Sequence, residues 1–193
     1  MGWKQLALAA FAATGLAVCG AAAADDASSA EQAASAPPAP IPPKLEYAFT
    51  IELELEPGLY LGPTPNGAER IAVYIRKGTV SGPMLHGTVV PMSGGDWARK
   101  RPDGVLDFDA RYVLKLDDGS LVYMQNSGYR WASAETMAKL SRHEEVPISD
   151  YYMRVTPRFE VQKGANDWLM RYVFVGVAEK TPTGNRINYY IVR

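Results

Sequence analysis

Residues 44–193 predict an all-β fold, a single antiparallel β-barrel of about eight strands with one short helix in a connection. Three observations carry this. Apolar and polar residues alternate with period two in run after run, the pattern of strands with one buried face. Gly, Asn and Asp clusters punctuate the runs at hairpin spacing. Only one stretch, SAETMAKLSR at 133–142, spaces its apolar residues as a helix does.

Taken in order, the chain begins with Lys4, an apolar run from Leu6 to about Val18, and small residues up to Ala24. This is the pattern of a secretory signal peptide over residues 1–24, cleaved after Ala24. The apolar run is too short for a membrane span, which needs about 20 residues. A lipobox-like Leu16-Ala17-Val18-Cys19 offers lipid anchoring through Cys19 as the lesser alternative. Residues 25–43, DDASSAEQAASAPPAPIPP, have almost no large apolar side chains to offset ordering entropy and predict a disordered tether. The expected location is therefore periplasmic or secreted.

In LEYAFTIELEL, Leu45, Tyr47, Phe49, Ile51, Leu53 and Leu55 share one face and the glutamates lie on the other. Further strands are expected at 70–77, 84–92, 105–116, 120–131, 150–161, 168–180 and 185–193. Asp118-Gly119, between two long alternating runs, is the clearest hairpin turn in the chain. Ser133 is placed to cap the helix, with Met137 and Leu140 on one side of it. The stretch GGDWARKRPDG at 94–104 reads as a loop, with glycines for a tight path and solvated Arg99, Lys100 and Arg101. Closure into a barrel removes the sheet edges an exported protein would otherwise expose. The final strand, RINYYIVR, offers an edge that could pair with a second copy, so a homodimer is one possible assembly and the oligomeric state stays open.

Composition narrows the chemistry. With 20 Lys and Arg against 21 Asp and Glu, the chain is close to neutral, which argues against nucleic acid as a partner. The only cysteine leaves with the signal peptide, and the two histidines, His86 and His143, stand in no metal-ligand spacing. No phosphate-cradling glycine loop and no nucleophile elbow is present. No cofactor and no metal are implied. What remains is a set of polar side chains within strands: Asp107, Asp109 and Arg111 on one face of their run, Asn126 and Arg130 together on the next, and Arg154 and Arg171 beyond. If they face a lumen rather than solvent, Asp109, Arg111, Asn126, Arg130 and Arg154 would line a pocket.

The blocks GTVSGPMLHGTVVPMSGGDW, RPDGVLDFDARYVLKLDDGSLVYMQNSGYR, YYMRVTPRFEV and DWLMRYVFVGVAEK, in that order, resemble those of the domain of unknown function 3237 family. The resemblance covers residues 44–193 and is most specific at Gly94-Gly95-Asp96-Trp97, Ala110-Arg111-Tyr112 and Asn126-Ser127-Gly128. It implies a single-domain barrel akin to the allene oxide cyclase and dirigent barrels, whose lumen takes small, largely apolar molecules. It also implies Asp96 and Arg111 as catalytic residues and Trp97, Asn126 and Arg154 as ligand-binding residues, to which the strand-face reading adds Arg130 as ligand-binding. Asp96 would be an acid or base desolvated beside Trp97, and the arginines would hold a carboxylate or an enolate-like oxygen.

The expectation is an exported barrel that binds a small apolar or aromatic carbonyl compound and acts on it as an isomerase, cyclase or lyase without metal or nucleotide. The alternatives are a non-catalytic small-ligand-binding barrel and a structural or interaction module. No transmembrane span is expected in the mature chain.

Overall fold

The computed structural model describes residues 39–193. The signal peptide, Cys19 and most of the tether therefore lie outside the described residues. Ten strands build the barrel: β1 (Leu45–Leu55), β2 (Leu59–Pro63), β3 (Glu69–Ser81), β4 (Gly87–Val89), β5 (Gly95–Lys100), β6 (Leu106–Leu116), β7 (Leu121–Trp131), β8 (Tyr152–Val161), β9 (Phe174–Thr181) and β10 (Gly184–Val192). They form eight staves. β2 continues the line of β1 along β3, and β4 and β5 share one stave on the other side of β3.

The ring closes because β1 pairs with both β10 and β3, all neighbours being antiparallel. Closure overturns one expectation. β10 is bonded to β1 along one edge and β9 along the other, so its backbone is consumed within the barrel and offers no edge to a second copy.

The Asp118-Gly119 turn forms as its residue types require, with Gly119 at φ 83°, and β6 and β7 pair from Leu106 opposite Arg130 to Lys115 opposite Leu121. The helix α1 (Ala134–Ser141) forms in the β7–β8 connection, where the Ser133 hydroxyl accepts a hydrogen bond from the Thr136 amide at 3.2 Å. Its Leu140 is buried and ties the helix to the barrel core.

Several segments differ from expectation: β2 was not among the expected strands, and of 84–92 only Gly87–Val89 is strand. Residues 95–100 are a strand, not a loop: β5 pairs with β3 on one side and with β6 on the other, and only Arg101–Gly104 turn. Its polar side chains mask a strand whose support is backbone pairing. Residues 168–173, expected at the start of a strand, instead carry a 3-10 turn over Asp167–Met170 that buries Leu169. Arg171 follows this turn and pairs with Asp167 at 2.8 Å, so it is no part of a strand face.

The interior is divided along the barrel axis. At the end closed by the 3-10 turn, Phe49, Phe159 and Phe174 pack edge to face or tilted, with centroids 5.1–6.2 Å apart, and Trp168 adds to Phe174 at 5.9 Å. The end from which α1 departs carries the polar side chains described next.

Candidate functional site

The inward phase of each strand decides which polar residues meet. On β6 the buried positions are Leu106, Phe108, Tyr112, Leu114 and Leu116, with Ala110 in the same phase, so Asp107, Asp109 and Arg111 point outward. On β8 the buried set is Met153, Val155, Pro157 and Phe159, which turns Arg154 outward, its guanidinium 5.2 Å from the Tyr152 ring centroid. Arg111 is exposed and bidentate to Asp109, at 3.0 and 3.2 Å. The expectation that Arg111, Asp109 and Arg154 line a lumen is thus corrected, because the apolar halves of these amphipathic strands fill the inside. Trp97 is also outside, 42% exposed and edge-on to Tyr74 at 6.1 Å. It cannot wall Asp96, since neighbours along a strand face opposite sides.

Asp96, Asn126 and Arg130 face inward. Asp96 is opposite Ala110, and Ala110 is opposite Asn126, so the carboxylate and the amide stand in one row across β5, β6 and β7. Arg130 is two inward positions beyond Asn126, with Gly128 between them. Two residues that sequence reasoning did not select join them. Lys180 lies in the inward phase of β9 after Phe174, Gly176 and Ala178, and its backbone amide donates to the Tyr151 hydroxyl at 2.9 Å. Asn185 is directly opposite Lys180 on β10. The phase of VFVGVAEK was readable; Lys180 was passed over because it ends the apolar run.

Burial sets the electrostatics. Desolvation is the largest influence on Asp96 and raises its carboxyl to about 6; the neighbouring charges of Asp109 and Asp107 add to the rise, while the Asp109 amide and Arg130 oppose it. Desolvation lowers Lys180 to about 8, helped by the charge of Arg130, and also holds Arg130 below its ordinary value. The Tyr112 and Tyr189 hydroxyls are held neutral by burial. Asn126 donates to the Tyr189 hydroxyl at 3.0 Å. Among the described residues, four buried side-chain polar atoms have no hydrogen-bond partner: Tyr112 Oη, Asn126 Oδ1, Arg130 Nε and Asn185 Oδ1. All four belong to inward-phase residues of the barrel, and such groups are costly unless something pairs with them.

The wall beside Asp96 is irregular. Between Asp96 opposite Ala110 and Arg99 opposite Asp107, the β5–β6 ladder lacks its rungs, and the freed Asp109 amide donates to Asp96 Oδ1 at 3.0 Å. On the β3 side, Arg70 donates to the Trp97 carbonyl at 3.0 Å. A shallow outer depression of about 310 Å³ lies over this gap, lined by Arg70, Trp97, Arg99, Asp107, Asp109 and Gln125 among others.

The fold and this interior define a class: a small closed β-barrel with one apolar end and one charged end. The family model described as a protein of unknown function (DUF3237) matches residues 43–192, and the chain belongs to that family. A UPF0311 protein of Rhodopseudomonas palustris is 37% identical over 140 residues, which span 72% of this chain and 90% of that protein. The crystal structure of a conserved protein of unknown function from the same organism superposes with a TM-score of 0.76 at 31% identity, covering 80% of this chain and all of that one. A β-barrel-like protein from Acinetobacter baumannii gives a TM-score of 0.69 at 33% identity, covering 80% of this chain and 99% of that one.

Proposed function

We propose that this chain is an acid–base enzyme of the isomerase, cyclase or lyase kind, acting on a small carbonyl compound at the polar end of the barrel. One observation carries the reading: Asp96 faces inward in the same row as Asn126, with its carboxyl raised to about 6 by burial. A carboxyl so poised exchanges a proton near neutral pH, where an ordinary one is fully ionised. In the reaction Asp96 takes a proton from carbon next to the carbonyl and returns it at the neighbouring position or to a leaving oxygen. Arg130 and Lys180 are the cations on the same inner surface that oppose negative charge developing on the carbonyl oxygen. Arg111, Trp97 and Arg154, being outside, have no part in this chemistry.

Export to the periplasm or beyond belongs to the same proposal and rests on residues 1–24 alone. A mature N-terminus at Asp25 in the purified native protein supports it; retention of Met1 overturns it.

The experiment for the chemistry is solvent-deuterium incorporation into a panel of keto and aromatic carbonyl acids, followed by NMR. Incorporation catalysed by the wild-type chain, lost in Asp96→Asn and kept in Arg111→Gln, supports the assignment. Full exchange by Asp96→Asn refutes it.

A further inference from the structure

The geometry assigns the polar end of the barrel as a carboxylate-binding site, in which Arg130 and Lys180 hold the anionic group of the ligand. This rests on the proposed function for its place in the barrel but concerns binding, not proton transfer.

The charges inside do not balance. Arg130 and Lys180 are both in the inward phase and neither takes part in an ion pair among the described residues. The one inward carboxyl near them is Asp96, which interacts with Arg130 only at a distance and is engaged with the Asp109 amide. The two cations are near enough for Arg130 to disfavour the charge on Lys180. Desolvated like charges without a counter-ion are retained against a substantial penalty, and a bound monoanion removes it.

The outer surface shows what paired cations look like in this protein. Arg99 is on Asp107 at 2.8 Å, Arg111 on Asp109 at 3.0 Å and Arg186 on Glu52 at 2.7 Å. In the depression over the β5–β6 gap Arg99 is paired in this way with Asp107, and Arg70 donates to the Trp97 carbonyl. Arg130 differs in that its Nε has no acceptor, although a guanidinium edge offers two parallel donors to a carboxylate. A single negative charge fits better than two, because a dianion would oppose Asp96. The unpartnered Asn126 Oδ1, deeper on the same strand, asks for a donor such as a hydroxyl on the body of the ligand.

The test is calorimetric titration of the full chain at pH 6.5 and low salt with benzoate and with benzamide, its uncharged counterpart. The expected result is benzoate bound at least tenfold more tightly than benzamide. Arg130→Gln and Lys180→Met each weaken benzoate tenfold or more, Arg130→Lys recovers part of the loss, and Arg154→Gln on the outer face leaves it unchanged. Melting curves establish which variants are folded, and should Arg130→Gln not fold, Lys180→Met carries the comparison. No binding of benzoate, equal affinity for benzamide, or benzoate affinity indifferent to the folded variants overturns the site. Asp96→Asn separates the two readings. If its proton exchange is undiminished, the proposed chemistry fails while the anion site stands; if benzoate ignores Arg130 and Lys180, the anion site fails while the chemistry stands.

Discussion

Asp96→Asn removes a carboxyl that the barrel holds away from water, and its effect on stability follows from linkage. In the folded chain burial lifts the carboxyl from 3.8 to about 6. Below about pH 3.8 it is protonated in folded and unfolded chain alike. Between pH 3.8 and 6 the folded chain holds the extra proton, so wild-type stability falls as pH rises, by about 1.4 kcal/mol per pH unit. Above pH 6 both forms are ionised and the loss is complete, at about 3 kcal/mol. The variant cannot titrate at this position. The difference in unfolding free energy, variant minus wild type, should therefore climb by about 3 kcal/mol between pH 3.5 and 7.5, whatever constant offset the asparagine itself introduces. For a domain of this size that corresponds to a midpoint difference changing by roughly 6–12 °C. Urea unfolding of both chains at half-unit pH intervals measures it directly. A difference that stays flat from pH 3.5 to 7.5 would mean that Asp96 titrates as an exposed carboxyl does, and would refute the desolvation on which its acid–base role stands.

Three further outcomes follow from the same interior. Lys180 is shifted the other way, from 10.5 to about 8, so the stability it contributes is full above pH 10.5 and lost as pH falls through 8. The stability difference, Lys180→Met minus wild type, should therefore fall by about 3 kcal/mol from pH 7 to 10.5, whatever constant offset the methionine itself introduces, as read by chemical unfolding at the two pH values. Gly176→Ala places a methyl 2.6 Å from Val155 Cγ2 and about 3 Å from both Tyr189 and Ile187, three groups already packed; a loss of about 1–3 kcal/mol in a urea melt is expected. Arg111→Ala removes an exposed pair with Asp109 and should leave both the unfolding midpoint and ligand binding inside the barrel unchanged.

Much of the barrel was legible because alternation is written into single strands. Phe49 to Leu55, the Asp118-Gly119 hairpin and the Ser133-capped helix each carry a local signal, whereas a bulge between Tyr47 and Phe49 buries Ala48 and leaves Leu45 and Tyr47 exposed, against the single apolar face expected for the whole run. β5 was not, because Asp96, Arg99 and Lys100 give it no apolar stripe and only its pairing with β3 and β6 makes it a strand. The site was half legible. The shared phase of Asn126 and Arg130 could be read from β7, but the same reading applied to β6 and β8 puts the aromatic and aliphatic halves inside and Arg111 and Arg154 outside. Expecting the polar face of every strand to line a lumen contradicted that phase. In a barrel this narrow the interior is first a packed core, and polar residues enter it one at a time, as Asp96, Asn126, Arg130 and Lys180 do. That Lys180 and Arg130 meet there is a matter of strand order around the ring, which no local pattern contains.

Near the gap between β4 and β5, side chains do the work of backbone. Ser93 Oγ accepts from the Val113 amide at 3.0 Å and donates to the Val90 carbonyl at 2.7 Å, and Asp96 Oδ1 takes the Asp109 amide in the same manner. The acidic group proposed to handle protons is thereby also a stitch in the wall that encloses it. Every protonation of Asp96 replaces a charged acceptor with a neutral one on a main-chain amide of β6, so the amide resonance of Asp109 carries a built-in record of the carboxyl's state. The seam of the barrel and its chemistry are read by one and the same peptide group.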